Sequence, residues 1–181
     1  MKNQFTISSA YKWAKDEDGK NNSELAIKTI TEFIKNRFSN NKNGKLNYNI
    51  NYRRLRASAG KTMLASIVKR IENSQVVIID ISTDNKNVFI EAGIAIAFEK
   101  NNNYFSVYFI KEYNSNAQLP QGIPSDLQGY FISEYVLDSK GKIIFKDNNS
   151  LRMSIESDIK EYFNNFKQTF NSIDEVNDYA K

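Results

Sequence analysis

The 181-residue chain is 40% hydrophobic and 25% charged, has a net charge of +4 and a pI near 9.1, and contains neither cysteine nor histidine. That length fits one domain with a substantial core, and the composition is ordinary for a soluble globular protein. Disulfides, thiolate catalysis, cysteine-ligated zinc and an imidazole base are therefore excluded, which leaves any chemistry to carboxylates, hydroxyls, Lys and Tyr. No apolar run approaches a membrane span, and Lys2-Asn3-Gln4 does not open a signal peptide, so a cytoplasmic protein is expected. The basic balance invites nucleic-acid binding, but acids and lysines are interspersed and no binding motif accompanies them; a nucleic-acid partner is not expected.

In chain order, Phe5 to Ser9 reads as a first strand, followed by a polar loop with Trp13 and the charged run Lys15 to Lys20. Ser23, with Glu24 behind it, reads as the N-cap of a helix in which Ala26, Ile30, Phe33, Ile34 and Phe38 recur at helical spacing. Leu46, Tyr48 and Ile50 alternate with polar residues and predict a second, more exposed strand. Arg53 to Thr62 reads as a basic loop; it is not a Walker motif, because Leu55 stands where the first glycine is required. Met63, Leu64, Ile67, Val68 and Ile71 predict an amphipathic helix, which leads into a strand from Val76 to Ile81.

After a helix beginning near Asn87, strands are expected at Tyr104 to Ile110 and Phe131 to Leu137, separated by a loop with Pro120, Gly122 and Pro124. A small extra strand is expected at Lys142 to Phe145. Ile155, Ile159, Tyr162, Phe163, Phe166 and Phe170 mark the last helix. The alternation predicts an α/β, flavodoxin-like three-layer sandwich whose mostly parallel five-stranded sheet has the order 2-1-3-4-5. Residues 1–172 form a single domain in this reading, and 173–181 a frayed tail.

The densest information lies between Ser74 and Ala97. Val76 to Ile79 is a β-branched run suited to a strand covered on both faces, and the strand ends at Asp80. From Val88 to Phe98 the only polar side chain is that of Glu91, so this helix is expected to be buried nearly all round. Asn87 is expected to cap it, Glu91 to lie in or just past its first turn, and Gly93 and Ala97 to let it pack closely on the sheet. A carboxylate there is costly unless paired or used, and it follows a central strand at the sheet edge where open α/β proteins place ligands. Two readings stay open on the residues alone: a catalytic carboxylate favoured by the helix dipole, or an acid that satisfies free backbone amides.

The sequence Asp80-Ile81-Ser82, followed by Asn87-Val88-Phe89-Ile90-Glu91-Ala92-Gly93-Ile94-Ala95, resembles the TIR-like and nucleoside 2-deoxyribosyltransferase-like superfamily. It looks closest to that group's bacterial, nucleotide-binding branch, because Asn87 to Ile90 stands where TIR NAD hydrolases usually carry a Ser/Cys-rich segment. The resemblance implies a flavodoxin-like fold, cleavage or transfer of N-glycosidic bonds with Glu91 as the catalytic residue, and a role in anti-phage defence. It also implies a homo-oligomer or a defence-system partner protein. NAD or a nucleotide would be the substrate, and neither cofactor nor metal is implied.

Around Glu91, the resemblance and the strand order assign Ser8, Ser9, Asp80, Ser82 and Asn87 to a sugar site. Arg54, Ser58 and Gly60 are assigned to a phosphate, held at the amino terminus of the following helix. Each has a plainer alternative: Asp80 can tie its loop to backbone amides, and the arginines can form a solvated basic loop. Trp13 is read as a base-stacking residue or a core edge, and Asp126 as a loop anchor. Three functions follow from these readings. The first is N-glycosidic cleavage of NAD or a related nucleotide, the second a nucleoside deoxyribosyltransferase or nucleotide N-glycosidase, and the third a non-catalytic nucleotide sensor or scaffold.

Overall fold

The computed structural model describes residues 4–12, 21–39, 49–55, 62–113, 127 and 129–179, with side chains in the last helix described through 165. Six strands form one sheet: β1 (Gln4–Ala10), β2 (Asn49–Arg54), β3 (Val76–Asp80), β4 (Ser106–Glu112), β5 (Ile132–Leu137) and β6 (Ile143–Phe145). Their order is β2-β1-β3-β4-β5-β6. The first four pairings are parallel, and only β6 pairs antiparallel, at the edge. The α/β class and the flavodoxin-like order are as the alternating sequence pattern predicts, with β6 as the extra strand.

Helices α1 (Asn22–Ser39), α2 (Met63–Glu72), α3 (Lys86–Glu99) and α4 (Ser150–Tyr179) cover both faces. On one face Phe5, Ile7, Val76, Ile78 and Tyr135 pack against Ile27, Ile30 and Ile34 of α1 and Ile155 and Ile159 of α4. On the other, Val77, Ile79, Val107 and Phe109 pack against Ile67 and Ile71 of α2 and Val88, Ala92 and Ala95 of α3. β3 is buried at every residue, as a central strand with helices on both sides must be.

Several boundaries differ from the sequence reading. β2 runs from Asn49 to Arg54, so Arg53 and Arg54 end a strand instead of opening a loop; Leu46 and Tyr48 lie outside the described residues. The cap of α1 is Asn21, whose Oδ1 accepts from the Glu24 amide at 2.9 Å, and Ser23 lies inside the helix. α4 is helical to Tyr179, past residue 172 where the sequence reading ends the domain. Among the described residues, no helix is long and apolar enough to cross a membrane.

α3 is not buried all round. Val88, Glu91, Ala92 and Ala95 face inward, whereas Ile90, Gly93 and Ala97 are exposed. A Cβ added at Gly93 would meet nothing within 4 Å, so Gly93 and Ala97 do not pack on the sheet as expected. Phe89, Ile94, Ile96 and Phe98 are half-buried against the same core, so the exposed strip of the helix is narrow and holds one large apolar side chain, Ile90.

Candidate functional site

The parallel order β2-β1-β3 brings the carboxyl ends of three strands side by side, with the switch point between β1 and β3. Asp80 ends β3 on the α1 side of the sheet and is almost fully buried. Its Oδ1 accepts from the Ser82 amide at 2.8 Å and from the Ser82 hydroxyl; its Oδ2 accepts from the Tyr135 hydroxyl at 2.7 Å. Ser23, in the first turn of α1, is a further side-chain partner. Burial pushes the Asp80 pKa up against the opposing pull of these donors. The Ser82 hydroxyl also accepts from the Glu112 amide at 2.6 Å, and Asn22 donates to Glu112 Oε1 at 3.0 Å. Asp80 and Ser82 thus bind α1, β4 and β5 to the end of β3. Sequence assigned both to a sugar contact; the structure engages both in internal hydrogen bonds.

Glu91 stands differently. The cap of α3 is Asn85, whose Oδ1 accepts from the amides of Asn87 and Val88. Asn87 is therefore an exposed residue of the first turn and not the cap, and the helix has no acid in that turn. Glu91 lies one turn further in, where backbone amides are already paired within the helix, so it has no capping duty. It is 9% exposed, and no described residue hydrogen-bonds its carboxylate. Burial raises its pKa to about 7, and the Arg54 charge partly opposes that rise.

Arg54 reaches this neighbourhood from the end of β2. Its guanidinium lies 3.7 Å from the centre of the Tyr11 ring, a cation–π contact that fixes the side chain at the sheet edge. Ser9 pairs with Arg54 in register, and its hydroxyl is 2.5 Å from the Tyr52 hydroxyl. Burial raises the Tyr11 pKa to about 12 and that of Tyr52 in the same direction, while Arg54 pulls both down. The two tyrosines escaped the sequence reading. Strand alternation was the available signal: Tyr52 and Arg54 share a face of β2, as Ser9 shares one with Ile7 on β1.

Ser8 points the other way and does not join the site. It is fully buried, with its hydroxyl 2.6 Å from that of Ser74, which in turn donates to the Arg70 carbonyl of α2 at 2.7 Å. It serves as a polar link between β1 and α2. Ser58, Gly60, Trp13 and Asp126 lie outside the described residues. The structure therefore groups Arg54, Ser9, Tyr11 and Tyr52 on the α1 face of the carboxyl edge; Glu91 faces in from α3 on the other side of the sheet and is linked to them through the Arg54 charge, with Asn87 exposed on α3.

A shallow cleft of about 20 Å³, room for little more than a water molecule, opens elsewhere, at the amino ends of β1 and β4, between Phe5, Tyr104, Ser106, Asp158 and Tyr162. Its ionisable walls, Asp158 and Glu161, are acidic, which repels a phosphate-bearing ligand. Glu91, within the field of the Arg54 charge, has the better chemistry. Among the described residues, no group of three or more acids is placed to hold a metal. Compared with known family models, curated proteins and solved structures, the chain matches none.

Proposed function

We propose that this protein is a cytoplasmic bacterial enzyme that cleaves the N-glycosidic bond of NAD or a related nucleotide, acting in anti-phage defence as a homo-oligomer or with a partner protein. The observation that carries this reading is Glu91: a buried carboxylate at the carboxyl edge of the sheet, within the field of the Arg54 charge, with no structural hydrogen bond among the described residues. Placed against the anomeric carbon, its carboxylate forms the C–O bond, or balances an oxocarbenium-like charge, as the C–N bond breaks. The electron pair of that bond goes to the pyridinium nitrogen, so nicotinamide leaves neutral and takes no proton. Water then attacks the same carbon, breaking the C–O bond to Glu91 where one has formed and returning its carboxylate, and releases a proton to solvent. No step needs an imidazole, in keeping with a chain that has none. Arg54, held on Tyr11, supplies the charge for a phosphate.

The test is chromatographic: purified protein is incubated with NAD and with a panel of nucleosides and nucleotides, and Glu91→Gln runs alongside. Release of nicotinamide or a free base by the wild type alone supports the reading and names the substrate. Activity confined to deoxynucleosides with an acceptor base points to the transferase. Tight nucleotide binding without turnover, unchanged in Glu91→Gln, points to the sensor.

A further inference from the structure

The cleft at the amino ends of β1 and β4 lies on the opposite edge of the sheet from Glu91 and has a chemistry of its own. Its walls include three aromatic rings, those of Phe5, Tyr104 and Tyr162, and two acids of α4, Asp158 and Glu161. The Phe5 ring meets Tyr162 edge to face at 5.4 Å, which holds Tyr162 in place, while Tyr104 is 56% exposed. Among the described residues, no lysine or arginine lines the cleft, and neither acid has an ion-pair partner. On the same helix, by contrast, Glu156 is paired with both Arg37 and Lys160.

Asp158 is the acid that the fold positions. The Tyr108 hydroxyl of β4 donates to its Oδ2 at 2.8 Å, and Ser106 is a further side-chain partner. Two donors leave a carboxylate with acceptor positions still to fill. Burial raises the Asp158 pKa against these donors, and the Glu161 and Glu99 charges add to the rise. Asp158 and Glu161 stand three apart on one helix, where like charges are neighbours and repel. A cation between them would relieve that repulsion, and the chain supplies none there among the described residues.

We infer that this cleft binds a primary ammonium group carried on an alkyl stem, the two acids taking its charge and the aromatic walls its hydrocarbon. Size and chemistry both select that ligand. An ammonium head is about as large as a water molecule, which is what a cleft of about 20 Å³ admits. A guanidinium or a quaternary ammonium is larger than that space. The head carries three N–H donors, and Asp158, Glu161 and the Ser106 hydroxyl offer acceptors. Aromatic rings attract an organic cation beyond what exposed acids alone achieve, so the walls set this cleft apart from a bare pair of surface acids. A divalent metal calls for more oxygen ligands, and no group of three acids stands there among the described residues. The inference does not depend on Glu91 being catalytic, and either can fail without the other.

The probe is n-butylammonium chloride, titrated into the protein and followed by the amide NMR shifts of Tyr104 and Ser106, with sodium chloride of equal ionic strength as control. Saturation with a Kd on the order of millimolar is expected, as suits one partly screened charge site with aromatic walls. Asp158→Asn should weaken binding at least about tenfold, and Glu161→Gln and Tyr104→Ala each about threefold. Circular dichroism shows whether Asp158→Asn keeps its fold; Glu161 and Tyr104 are exposed, so their variants carry the test if it does not. Tetramethylammonium and N-methylguanidinium should give no saturable shift. Shifts matched by sodium chloride, equal binding of tetramethylammonium, or a Kd indifferent to both Glu161→Gln and Tyr104→Ala overturns the proposal. A linear triamine and a three-lysine peptide then separate the sources of the ammonium. Tighter binding of the triamine assigns a free polyamine, and tighter binding of the peptide a lysine side chain of another protein.

Discussion

Asp80 and Glu91 are both acids buried at the carboxyl edge of one sheet, eleven positions apart in one motif, yet they are held in opposite ways. Asp80 is surrounded by donors: the Ser82 amide and hydroxyl, the Tyr135 hydroxyl and Ser23. Glu91 has no donor among the described residues and feels only the Arg54 charge against the cost of burial. A buried carboxylate with its donors in place ties elements together, whereas one kept without them is held at a cost that stability alone does not explain. The comparison separates an anchor from a reagent, where sequence assigned Glu91 the catalytic role and Asp80 a sugar contact or a loop tie.

The largest expected effect tests the reagent. Glu91→Gln keeps the shape and removes the charge, so turnover should fall at least about 10³-fold, while circular dichroism and the urea midpoint at acidic pH stay unchanged. The mirror experiment tests the anchor. Asp80→Ala strands several donors and should cost about 3 kcal/mol of stability by urea denaturation; Tyr135→Phe, which removes one of them, should cost about 1 kcal/mol. Equal destabilisation by Glu91→Gln and Asp80→Ala would erase the distinction.

Much of this was legible in the chain. The β-branched run Val76 to Ile79 and the helical repeats of Ile30, Ile34, Ile155 and Ile159 state their burial through period alone, and the strand order follows from alternation. The partners of Asp80 were not legible: Tyr135 lies 55 residues away, and only the register of β3, β4 and β5 brings it there. Local sequence also misplaced the start of α3, because Asn85 and Asn87 are both good caps and only the backbone angles choose between them. The outer face of α3 was unreadable for a different reason. An all-apolar stretch looks the same whether its outer strip meets the core or solvent.

A smaller effect sharpens the cost of Glu91. Its folded pKa, about 7, stands above the ordinary 4.5, so the folded state favours the protonated form. The stability this confers is present in full below about 4.5 and is lost as pH rises through about 7. Glu91→Gln never bears the buried charge. Its urea midpoint should match that of the wild type near pH 4 and exceed it at pH 8, with the gap opening between those limits. A gap independent of pH would mean that the carboxylate is not buried in solution.

The smallest effect concerns Arg54, and it links the two sides of the edge. Arg54 lowers the Glu91 pKa from the position that burial alone would set, so removing its charge must raise that pKa further. If turnover requires the ionised carboxylate, the rate of the wild type climbs through about pH 7, and the ascending limb of Arg54→Gln moves to higher pH. The same substitution removes the charge offered to a phosphate, so KM for NAD should rise, while KM for an uncharged nucleoside should not. A raised KM with an unmoved limb would make Arg54 a ligand contact with no hold on Glu91. A moved limb with KM unchanged would make it a positioning charge alone. Because the guanidinium rests on Tyr11, Tyr11→Leu should reproduce both changes in weaker form by loosening Arg54 without deleting it.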